Sequence, residues 1–131
     1  MQSFVGVAFR VVNATNYDAV YFRPFNFKAE NPVNRGHAVQ YHSMPDYPWQ
    51  RLRAEKPEEY EDPVSPVPDP NGWFKAKVVV EADKVTVFVN DSATPTLSVT
   101  ALSKQKNGAL GFWVGNNSSG DFANLKITPK P

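Results

Sequence analysis

The chain has 131 residues, with 14 Lys and Arg against 13 Asp and Glu and a net charge of +1. It therefore presents no single-sign field to draw in nucleic acid or an anionic membrane. It has no cysteine, which excludes disulfides, thiolate zinc sites and a cysteine nucleophile. At 41% hydrophobic and 13% aromatic, the length suits one domain, residues 1–131, with a core of its own. No apolar run nears the roughly 18 residues of a membrane-spanning helix.

The apolar runs are short, rich in Val, Phe and Tyr, and alternate with period two, which predicts an all-β domain. Ser3–Val12 is the first strand, with Val5, Val7, Phe9 and Val11 on one face and Gly6, Ala8 and Arg10 on the other. Asn13-Ala14-Thr15-Asn16 reads as a turn. Tyr17–Phe25 follows, with Val20 and Phe22 opposite Ala19, Tyr21 and Arg23, and then a polar loop, Asn26–Gly36. His37–His42 sets Val39 and Tyr41 against Ala38, Gln40 and His42. Trp49–Arg53 reads as a short fourth strand.

Seven of the 12 prolines fall between Pro45 and Pro70, so residues 54–72 form a Pro-rich, surface-running loop. A helical turn after Pro57 is its one candidate element. Order returns with Trp73–Ala82 and Lys84–Asn90, a hairpin that Trp73 opens as a packed residue. Thr96–Ala101, Ala109–Gly115 and Asp121–Thr128 complete the strands, with a turn at Asn116–Gly120. About nine short strands predict two packed antiparallel sheets.

Several strands oppose a bulky apolar face to one of small residues, namely Gly6, Ala8, Ala19, Ala38, Gly111 and Gly115. Arg10, Tyr21, Arg23, Gln40, His42 and Trp113 stand among them. Small residues lower a sheet surface and leave room for a ligand, while polar and aromatic groups supply hydrogen bonds and a stacking platform. Trp49, Arg51 and Arg53 join this set from the neighbouring segment, and Arg23 and Trp49 are expected to be exposed.

The segments Trp73–Val80, Lys84–Asn90, Gly108–Gly115 and Phe122–Ile127 resemble the concanavalin A-like lectin/glucanase superfamily, which includes the laminin G-like jelly rolls. Gly6-Val7-Ala8-Phe9-Arg10, Asn16-Tyr17-Asp18, Tyr21–Asn26 and Gln40-Tyr41 are similar to its 3-keto-disaccharide hydrolase branch. The resemblance implies a jelly-roll sandwich, an extracellular or periplasmic setting, and either sugar binding or glycoside cleavage. Family members carry further strands before the segment matched by Ser3–Val12, so the resemblance implies an N-terminally shortened domain.

Carbohydrate is thus the expected partner, recognised on an open sheet face by Arg10, Tyr21, Arg23, Gln40, His42, Trp49, Arg51, Arg53 and Trp113. A hydrolase of the 3-keto type and a structural or interaction module are the alternatives. Catalytic residues are left unassigned: the Glu-x-Asp-x-x-Glu strand motif of glucanases is absent, and Glu55, Glu58, Glu59, Glu61 and Asp62 read as solvated loop charges. His37 and His42 are five apart, which on one strand puts them on opposite faces. No metal site or cofactor is expected, although the resemblance allows a structural calcium ion among the loop acids Asp46, Asp62, Asp69 and Asp121. Turn chemistry accounts for the sequons at Asn13, Asn90, Asn116 and Asn117. Ser3–Val12 carries no Pro or Lys to guard an edge, so a homo-oligomer is expected, with another copy pairing or covering that strand.

Overall fold

The computed structural model describes residues 3–115 and 118–129. It is mostly β, with 39% strand and 11% helix, and its strands form two antiparallel sheets, making an all-β sandwich. The larger sheet has the order β4-β3-β2-β1-β8 and the smaller β5-β6-β7. Their ranges are β1 (Phe4–Asn13), β2 (Asn16–Phe22), β3 (Val39–Met44), β4 (Glu61–Asp62), β5 (Ala76–Glu81), β6 (Lys84–Val89), β7 (Leu97–Thr100) and β8 (Ala109–Gly115).

β1, β2 and β3 follow the alternation of their sequences and form a meander. Asn13 Oδ1 accepts from the backbone N–H groups of Thr15 and Asn16 at 2.9 and 3.0 Å, which fixes the first turn. β2 stops at Phe22, short of the predicted Phe25, because Pro24 opens a 3-10 turn, Pro24–Asn26. The loop after it holds one helical turn, α1 (Pro32–Arg35), with Pro32 at its start and the Asn31 side chain accepting from Val33 N–H.

Trp49–Arg53 is not a strand but part of helix α2 (Trp49–Glu55). Gln50, Arg51, Leu52, Arg53, Ala54 and Glu55 are all good helix formers, Pro48 stands just ahead of them, and only Leu52 is buried. Pro57–Tyr60 is a turn and not a helix. β5 begins at Ala76, and Trp73 is exposed rather than packed. Asp121–Thr128 forms no strand. The turn predicted at Asn116–Gly120 begins on Asn116 and Asn117, outside the described residues.

β1 is not a sheet edge. It pairs with β2 on one side and with β8 on the other, Val7 facing both Val20 and Phe112. The alternation that identifies a strand says nothing of its neighbours, and here the chain closes that edge itself.

The core lies between the sheets. Phe9, Val20, Phe22, Val39 and Tyr41 meet Val85, Val87, Val89, Leu97 and Val99, and Phe27, Leu52, Tyr60 and Val64 close it from the loops. One buried carboxylate lies among these apolar groups. Asp18 faces inward and accepts from the hydroxyls of Tyr41 at 2.6 Å, Ser43 at 2.8 Å and Ser103 at 2.9 Å. Tyr41 Oη also accepts from Leu102 N–H at 2.9 Å. Burial and the Asp18 carboxylate raise the phenol's pKa well above its ordinary value. This network ties the segment leaving β7 to the larger sheet. Ser103→Ala, which removes one of three donors at a partly accessible position, is expected to cost about 1 kcal/mol in a denaturant titration.

The sheets are unequal in width. No β8 side chain belongs to the buried core among the described residues, and its inward-facing Leu110, Phe112 and Val114 stay 46–56% exposed. Phe122 stacks on Phe112 with ring centroids 4.1 Å apart.

Candidate functional site

The strand register lines up the outward face of the larger sheet in rows. One runs Trp113, Gly6, Tyr21, Gln40, Glu61 across all five strands, and the next runs Gly111, Ala8, Ala19, His42. The sequence parity is thus correct, and Tyr21, Gln40, His42 and Trp113 do share one face. The expectation of an open face is not met. Tyr21, Arg23, Gln40 and His42 are all buried.

The protein's own indole takes the space. The Trp113 ring lies 4.5 Å from that of Tyr21 and 5.4 Å from that of His42, and its Nε1 donates to Tyr17 Oη at 3.1 Å. To reach them from β8 it crosses β1 beside Gly6, where a Cβ would run into the Val20 carbonyl oxygen and the Tyr21 backbone rather than into the indole. A Cβ at Gly115 would run into the same ring. Of the small residues on this face, Gly115 accommodates the protein's own indole and Gly6 the close approach of β2.

Beyond Tyr21 the face becomes a charged cluster. Glu61, 4% exposed, receives two hydrogen bonds from Arg53, at 2.6 and 2.8 Å. His37 Nδ1 lies 2.8 Å from Glu61 Oε1, and Arg23 Nη1 lies 3.8 Å from the same oxygen. Arg23, 5% exposed, also donates to the His37 carbonyl at 2.9 Å and to Tyr21 Oη at 3.2 Å, with longer contacts to Gln40. Burial lowers the Arg23 pKa and pushes that of Tyr21 up to about 12, the neighbouring guanidinium opposing the latter shift.

Glu61 thus corrects the reading of the loop acids as solvated. β4 turns Tyr60 into the core and Glu61 to the opposite face. No local signal marks it, because what buries Glu61 is pairing with β3 opposite Gln40. His37 precedes β3, so strand parity does not govern it, and it meets the cluster from the loop. Tyr17 has the right parity for this face and could have been read from it.

The remaining candidates lie elsewhere. Arg10 has a positive φ of 52° at a bulge where the β1 register shifts, and its Nη2 donates to the Ala82 carbonyl of the other sheet. Arg51 is exposed, paired with Glu55 at 2.7 Å and lying over Tyr47. Trp49 is half-buried beneath the Arg53 guanidinium, 4.6 Å from its ring centroid, and is not an exposed platform.

Two buried side chains keep polar atoms without a partner among the described residues: Arg10, at Nη1 only, and His42, at both ring nitrogens. His42 is 4% exposed, surrounded by Tyr17, Tyr21 and Trp113, and neither ring nitrogen has a hydrogen-bond partner. Burial, and then the Arg23 charge, lower its pKa from 6.5 to about 4. The ring is therefore neutral at pH 7, with one donor and one acceptor unused. Among the described residues no three His, Asp or Glu side chains cluster as a metal-binding set. No protein family, curated protein or solved structure matches the chain.

Proposed function

We propose that the sandwich is a jelly roll of the concanavalin A-like class and acts as a non-catalytic carbohydrate-binding domain. The observation that carries this reading is His42, whose two ring nitrogens are buried and unpartnered among aromatic rings. Buried polar atoms without partners cost roughly 1–3 kcal/mol each, and sites that break packing rules are candidates for function. A sugar hydroxyl both donates and accepts, which matches a neutral imidazole. Arg23 and Arg53 are already engaged by Glu61, so the site favours a neutral ligand over an anion.

The sugar reaches His42 when Trp113 turns out of its row. That side chain stands on an edge strand between Gly111 and Gly115, and its ring nitrogen is held by one hydrogen bond, to Tyr17. Once turned, the indole offers a face on which sugar C–H groups stack. Hydrolysis would need two carboxyls across one cleft. The two most buried acids, Asp18 and Glu61, lie on opposite faces of the sheet, which favours binding over cleavage.

A glycan array followed by calorimetry tests this reading. His42→Phe is expected to abolish binding while melting no lower than wild type, and His42→Gln, which keeps a donor and an acceptor, to retain binding. A wild-type protein that binds no glycan, or a His42→Phe variant that binds like wild type, overturns the reading. Turnover of a glycoside by the wild type would move it to the hydrolase class.

A further inference from the structure

We propose that two copies of this chain join through β8, edge to edge, in an antiparallel two-fold pairing centred on Phe112. β8 is the end strand of the larger sheet, so among the described residues one side of its backbone has no strand beside it. Its sequence, Ala109-Leu110-Gly111-Phe112-Trp113-Val114-Gly115, contains no proline and no charge. Exposed edges are normally guarded by such residues, and an unguarded one is a template for another strand. The edges of the smaller sheet are guarded differently: β5 carries Lys77 and Glu81, and β7 is only four residues long.

The side chains fit the same partner. Phe112 is the middle residue of the seven. A two-fold axis there sets Phe112 against the partner's Phe112 and Leu110 against the partner's Val114. The inward faces then form one apolar stripe across the axis, extended in each copy by Phe122. On the outward face each Trp113 stands opposite the partner's Gly111, where a side chain would have open space, so the two indoles do not collide. A second copy supplies this self-complementary order of residues.

Leu110, Phe112, Val114 and Phe122 together expose on the order of 400 Å² of apolar surface, the size of the largest patch on a typical monomer, which is often functional. Edge pairing covers the flanks of these side chains, the paired backbones and the edge of Trp113, a part of the ~800 Å² each partner contributes to a standard interface. The two larger sheets would become one continuous sheet.

Sedimentation equilibrium of the full chain at micromolar concentration tests the pairing. The wild type is expected at about twice 14.6 kDa. Phe112 is half exposed, so Phe112→Lys and Phe112→Glu leave the fold intact by circular dichroism. Each variant alone is expected to be monomeric, because like charges then face each other across the axis. Mixing the two is expected to restore the dimer. A wild-type species of 14.6 kDa, a Phe112→Lys protein that stays dimeric, or a mixture that stays monomeric overturns the proposal. The dimer does not depend on sugar binding, so it should persist in His42→Phe.

Discussion

Glu61→Ala is expected to lower the unfolding free energy by about 3–5 kcal/mol, a drop in melting temperature of roughly 10–20 °C for a chain of this length. Among the described residues Glu61 is the only acid in contact with Arg23, Arg53 and His37. Removing it leaves Arg23 charged at 5% exposure, because burial lowers a guanidinium pKa without bringing it near neutrality. The cost is that of an unpaired buried charge and not the net worth of a salt bridge, which for such pairs is small. Glu61→Gln keeps hydrogen-bond acceptors and should cost less than Glu61→Ala. A loss below 1 kcal/mol for Glu61→Ala would mean that Arg23 reaches solvent.

The second large effect is a pH dependence. The folded protein holds His42 at a pKa of about 4, against 6.5 in the unfolded chain. Between these values the unfolded chain binds the proton and the folded one does not. The contribution is fully present above pH 6.5 and is lost as the pH falls towards 4, by which point it amounts to about 3 kcal/mol. Denaturant titrations at pH 7 and pH 4 measure it. Every other ionisable group is common to both proteins, so the difference between wild type and His42→Phe isolates His42. The variant is expected to lose about 3 kcal/mol less over this interval. Equal losses would mean that the imidazole is solvated.

The alternating strands β1, β2, β3, β6 and β8 were legible because a half-buried strand must oppose two chemically different faces. The same parity put Tyr21, Gln40, His42 and Trp113 on one side. It could not say what covers that side, since Trp113 reaches Tyr21 across a strand whose position depends on pairing over a hundred residues. Arg10 was misassigned because a bulge breaks parity without a marker of its own. Glu61 was misread because a two-residue strand is too short to show periodicity. The helix at Trp49–Glu55 could have been read from its run of helix formers, but the alternation of Trp49, Arg51 and Arg53 competed with it.

β1 lies inside the larger sheet, next to its end strand, between its earliest neighbour in the chain and a much later one. On the ribosome β1, β2 and β3 can form as a local meander, but the far side of β1 stays bare until β8 emerges. At 5–20 residues per second this interval lasts on the order of 5–15 s. During it, a strand without proline or lysine exposes a full row of backbone groups beside other nascent chains. The β5–β6–β7 hairpins form within the same interval and cannot cover it, because they belong to the other sheet. The chain is therefore most prone to aggregate while it is being made, and a chaperone that holds the nascent strand should raise its yield more than stabilising the finished fold.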